Sequence, residues 1–106
     1  MNPIAQCTSL TEVRRHIDRL DSELVALIAE RGAYLRQAAA FKKTAAEVPA
    51  PQRVEQILSR VNALALAAGA DTAVVDATWR AMIAAFIDTE RSAQAVVHPP
   101  SPQQPN

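Results

Sequence analysis

Little in this sequence marks a secreted, metal-binding or membrane-spanning chain. One cysteine leaves Cys7 without an internal disulfide partner, and neither His16 nor His98 stands at metal-ligand spacing from it. A reducing, cytoplasmic setting is expected, with no metal. No stretch reaches the roughly 18 uninterrupted apolar residues of a membrane span. The opening MNPIAQC lacks the basic and apolar regions of a leader, so a soluble chain is expected. Eleven basic residues balance 11 acidic ones, and no global field draws the protein to nucleic acid or to an anionic membrane. Any anion it binds must be held by a local cluster. Aromatics are 4% of a chain that is 49% hydrophobic, which calls for an aliphatic core, and the length suits one domain.

Glycine and proline are also sparse where it matters, and what fills the gaps is helical. Ser9-Leu10-Thr11-Glu12 reads as a capping box, the Ser9 hydroxyl accepting an early N–H and Glu12 reaching back. Leu10, Ile17, Leu24, Arg31 and Ala38 are spaced by seven, as are Val13, Leu20, Leu27, Tyr34 and Phe41, making a nearly complete a/d seam. The first helix should run to about Lys42, about 50 Å at ~1.5 Å per residue. A globule of this size is narrower, so the seam of the protruding half needs a second chain to cover it.

Pro49 and Pro51 place a loop at Lys43 to Gln52. From Arg53 a short helix carries Val54, Ile57, Leu58, Val61, Leu64, Ala65 and Ala68, and Gly69 stands where a left-handed cap belongs. Asp71 or Thr72 can cap a third helix whose apolar face holds Val75, Trp79, Met82, Ile83, Phe86 and Ile87, running to about Ala93 or Ala95. The tail HPPSPQQPN, residues 98–106, has four prolines and nothing apolar to bury, so disorder is expected there. The expected architecture is all-α, long–short–long, in one helical domain of residues 1–97.

Candidate functional residues are those that break this pattern. Arg31 holds a seam position reserved for an apolar side chain, and a buried guanidinium needs an anionic partner. On spacing alone a structural salt bridge, or an arginine that snorkels to solvent, is the slightly preferred account. Glu90 ends the stripe of Trp79, Ile83 and Phe86, where a carboxylate needs a partner or a proton unless the helix end is wet. Arg14 has Asp18 four residues on, an ordinary surface pair. Lys42 and Arg53 bracket the proline loop, where charged residues are commonly just solvated. His16 falls on a polar face, His98 in the tail, and Cys7 in no histidine motif, so no covalent nucleophile is indicated.

Arg14, Arg31, Lys42 and Arg53 on this helix–loop–helix frame, followed by Glu90, resemble the active site of the all-helical (type II) chorismate mutases. The segments are EVRRHIDRLDSELVALIAER, FKK, PAPQRV and AAFIDTE, within about residues 8 to 91. FKK and PAPQRV are most similar to the isochorismate pyruvate-lyase branch, which makes salicylate for siderophores. The resemblance implies an intertwined homodimer, no cofactor, and pericyclic chemistry on chorismate or isochorismate. These substrates are dianions, suited to guanidinium and ammonium groups. No nucleophile is required, because the protein holds a reactive conformer and stabilises charge on the ether oxygen.

By the same resemblance Arg31 and Arg14 bind the carboxylates, Arg14 coming from the opposite protomer. Lys42 contacts the ether oxygen and a carboxylate, Arg53 closes the loop over the ligand, and Val54 and Phe86 lie against the substrate. Dedicated bacterial mutases usually carry a glutamate directly after that arginine, so Val54 favours the lyase branch. Glu90 departs from the glutamine common to both branches. The alternatives are a dedicated mutase of phenylalanine and tyrosine biosynthesis and a non-catalytic dimerisation module in which Arg31 and Glu90 form a structural pair.

Overall fold

The computed structural model describes residues 3–41 and 51–97, with side chains as far as Ser92. It has three helices, α1 (Leu10–Ala40), α2 (Pro51–Ala68) and α3 (Thr72–Val97), and no strand among the described residues. None of these helices is long and apolar enough to cross a membrane. The chain divides into two compact units, Met1–Ala38 and Ala39–Asn106. Lys42 and the proline-rich tail lie outside the described residues.

The first unit consists of α1 and its lead-in. Ser9 caps the helix by accepting from the Glu12 N–H at 3.1 Å. Glu12 reaches back one residue further than a reciprocal box requires, accepting from the Thr8 N–H at 2.8 Å. At 31 residues the helix is about 46 Å long at ~1.5 Å per residue. It ends at Ala40 rather than near Lys42, with Phe41 already in a turn. Its seam is open: Leu10, Ile17, Leu20, Leu24 and Leu27 are all exposed within the single chain.

In the second unit α2 begins at Pro51, so the expectation of a loop through Gln52 is corrected at its last two residues. Proline is well placed as a first helical residue, because its missing N–H would have had no intrahelical acceptor and its φ is already helical. The helix closes at Gly69, whose φ of 74° is the left-handed geometry that glycine adopts without penalty. The Ala70 N–H donates to the Ala65 carbonyl at 2.8 Å and the Gly69 N–H to the Leu66 carbonyl at 3.3 Å, the paired bonds of a Schellman stop. Asp71 then caps α3, its Oδ1 accepting from the Ala73 N–H at 2.9 Å. The third helix runs on to Val97, past the expected Ala93 or Ala95. No glycine or proline follows Asp71 until Pro99, so nothing in the sequence stops it earlier.

The short turn folds α3 back along α2, and their apolar stripes close on each other. Ile57, Leu58, Val61 and Ile83 are buried, with Val54, Val75, Trp79 and Ile87 packed around them. A polar bridge crosses the same seam. Asn62 of α2 donates from Nδ2 to Asp76 Oδ1 of α3 at 3.2 Å and to its own helix's Leu58 carbonyl at 2.8 Å. Arg80 Nε donates to the other Asp76 oxygen at 2.7 Å.

Candidate functional site

On α1, Arg14 is exposed and Arg31 is half-buried beside the buried Gly32. The surface pair expected between Arg14 and Asp18 does not form. Instead Arg19 pairs with Glu23 at 2.9 Å, and among the described residues Arg14 has no carboxylate in ion-pair range. Arg31 engages partner groups in the structure. Arg14 and Arg31 stand 17 positions apart on one continuous helix, an axial distance of about 25 Å. A ligand the size of one substituted ring cannot touch both.

On α2, Arg53 is the third residue of the helix and is exposed. A cation is disfavoured at this end, because the unpaired N–H groups and the macrodipole already make it positive. The first turn contains no acidic residue to offset it. The turn is therefore electropositive twice over, from backbone and from guanidinium, which is the composition of an anion-binding end. Val54, directly after it, is half-buried and packs on the α2–α3 core, so its side chain is fixed by the hairpin itself.

On α3, Phe86 and Glu90 are one turn apart and half-buried. Glu90 Oε1 is withdrawn from solvent, and both residues engage partner groups. Ile87, between them in sequence, packs on the same core as Val54. Arg53 and Val54 therefore belong to the same end of the hairpin as Phe86 and Glu90, away from the Gly69 turn. Lys42 lies outside the described residues, and Arg14 and Arg31 belong to the other unit.

The Asp76 carboxyl is held below the usual carboxylate range, chiefly by the Arg80 hydrogen bond and then by Asn62, while the same contact raises Arg80. The pattern-breaking rule missed this bridge. Two signals pointed to it: an Asn beside Val61 on an apolar stripe, and Asp76 and Arg80 four residues apart. Cys7 and His16 lie apart from all of these residues in sequence. Cys7 Sγ faces the Ala5 carbonyl at 3.9 Å, and His16 is exposed.

Residues 13–91 match the protein family described as Chorismate mutase type II. Among curated proteins the chain is similar to an isochorismate pyruvate lyase of Pseudomonas aeruginosa. The two are 33% identical over 81 residues, which is 76% of this chain and 80% of the relative.

Proposed function

We propose, from the premise that this chain belongs to the chorismate mutase type II family, that it is a pericyclic enzyme acting on a chorismate-type dianion. It eliminates pyruvate from isochorismate to give salicylate, rearranges chorismate to prephenate, or does both, with elimination favoured. The observation that carries this reading is Arg53 in the first turn of α2, a cation at an already positive helix end. That arrangement disfavours the helix and suits a carboxylate ligand. Two features support elimination over rearrangement: the apolar Val54 after Arg53, and the activity in the name of the Pseudomonas aeruginosa relative.

In this reading Arg31 and Arg14 hold the two substrate carboxylates, and Lys42 reaches the ether oxygen and one carboxylate. Arg53 covers the ligand, with Val54 and Phe86 against its ring. Charge-assisted hydrogen bonds of this kind fix a dianion in a compact, reactive conformer. Negative charge growing on the ether oxygen is met by Lys42 and Glu90. The axial distance between Arg14 and Arg31 on one helix supports their coming from different chains. Each site then takes Arg14 from a second copy, and the exposed α1 seam is the surface through which the copies join. Neither nucleic acid nor a membrane is a partner, and no cofactor is used.

Purified protein offered chorismate and isochorismate separately, with prephenate and salicylate measured, tests the assignment. Salicylate formation well above prephenate formation is expected, and the reverse ratio makes the protein a dedicated mutase. Turnover of neither, with no rise in melting temperature when a bicyclic transition-state mimic is added, leaves a dimerisation module instead.

A further inference from the structure

The α2–α3 core is aliphatic, and apolar contact has no direction. It would tolerate small slides or rotations of one helix on the other. Directional contact between the helices comes from Asn62 and Asp76. The Asn62 amide is oriented by its own helix through the Leu58 carbonyl, at 2.8 Å, and spends its other N–H on Asp76 Oδ1 at 3.2 Å. Asp76 is oriented in turn by Arg80 through Oδ2, at 2.7 Å. Asn62 and Asp76 are thus each held at two points. Arg53 and Val54 sit two to three turns from Asn62 along α2, and Glu90 four turns from Asp76 along α3. Any slip at the bridge carries along both rods to those ends.

We infer that the Asn62–Asp76–Arg80 bridge is a positioning device that sets the register of α2 on α3, and through it the placement of Arg53 and Val54 relative to Glu90. The claim about register stands on the hairpin alone, while its consequence for turnover rests on the function proposed above. Asn62→Leu removes the bridging donor while keeping a side chain of similar size, and leucine is the better helix former, so the helix is not weakened. Asp76→Leu breaks the bridge from the other side. Because the bridge acts as a unit, the double variant does no further harm than either single one.

Two measurements test this. Spin labels at Gln52→Cys and Asp88→Cys, on a Cys7→Ser background diluted with unlabelled chain, report the separation of the two helix ends. In each bridge variant that separation should shift or broaden by at least about one residue rise, ~1.5 Å. Turnover should fall on the order of tenfold in kcat, with KM moving less, since a displacement of about 1 Å at a reacting centre is costly. Melting temperature should hold or rise in Asn62→Leu, which a merely structural contact would not allow. An unchanged distance distribution overturns the inference whatever the activity. A shifted distance with unchanged kcat, in a protein whose wild type turns over, overturns the positioning role. If the wild type processes neither substrate, the functional reading fails and the label distances alone decide the register lock.

Discussion

The hairpin and α1 are made of the same aliphatic residues, yet Leu58 and Val61 in the hairpin keep 4% and 3% of their exposure while Leu10 and Leu24 on α1 keep 60% and 53%. The hairpin's two stripes meet across the short turn of Gly69 and Asp71 and bury each other. The α1 stripe repeats every seven residues along a rod about 46 Å long, a spacing suited to another long helix of the same repeat. Patterning of one kind thus gives two outcomes: a core closed within the chain, and an exposed stripe that the proposed homodimer would cover.

The largest effect should come from spoiling the open surface. Leu20→Glu with Leu24→Glu places two charges in the seam, which a joined pair of helices would have to bury unpaired. The wild type should sediment as a dimer at micromolar concentration and the double variant as a monomer without turnover. A dimeric double variant, or a monomeric wild type that still turns over substrate, would sink the seam as the joining surface. Next is Arg31→Ala, which in the proposed function should abolish turnover while leaving the fold largely intact, because its charge is there set against a substrate carboxylate. A structural role would show instead as a loss of about 3–5 kcal/mol without ligand.

Inside the hairpin the comparison can be sharpened with two leucines of one helix. Leu58 is buried at 4% exposure and Leu66 is exposed at 74%. Leu58→Ala should cost about 2–5 kcal/mol from lost burial and the cavity left behind. Leu66→Ala should stay within about 0.5 kcal/mol. Equal losses in urea titrations of the two would mean that Leu66 is covered in the assembled protein, and would move it to the open-surface class with the α1 seam.

Much of this was legible in the sequence because it is local. Ser9 with Glu12, Gly69 and Asp71 each end or start a helix through groups within a few residues, and all three act as the residue types predict. The misplaced boundaries, Pro51 and Val97, come from reading proline as a loop marker when it also suits a first helical turn, and from stopping a helix before any breaker required it. In the candidate site, Arg53 was read at the boundary between the proline loop and the second helix; its position three residues into that helix is what sets its charge against a positive helix end. The Asn62–Asp76 contact spans 14 residues and follows no periodicity. A tertiary hydrogen bond of this kind leaves no trace in a stripe count.

A smaller effect is expected at Glu90. In the proposed function it donates to the ether oxygen, which a carboxylate cannot do and an amide can. Glu90→Gln should therefore raise turnover several-fold at neutral pH, with kcat rising more than KM changes. Steady-state kinetics of both proteins decide it. A glutamine variant no faster than the wild type would take Glu90 out of this role.

The smallest effect belongs to the bridge that ties the hairpin, and its sign follows from the charges around it. Asp76 faces Arg80 on its own helix and Asn62 on α2, with Glu55 of α2 acting on Arg80 as well. The Arg80 hydrogen bond, helped by Asn62, holds the Asp76 carboxyl below its ordinary range. A carboxyl lowered on folding stabilises the folded state fully above the ordinary aspartate value of about 3.9, and that stability is lost as pH falls through the lowered value. Melting temperature should therefore favour the wild type over Asp76→Asn by a constant small margin from neutral pH down to roughly pH 5. Below that the margin should close. Both partners reach solvent, with side-chain exposures of 61% for Arg80 and 31% for Asp76, so salt should shrink the margin too. A margin that widens on acidification, or that is already lost at neutral pH, would show that Asp76 is not held ionised by this bridge.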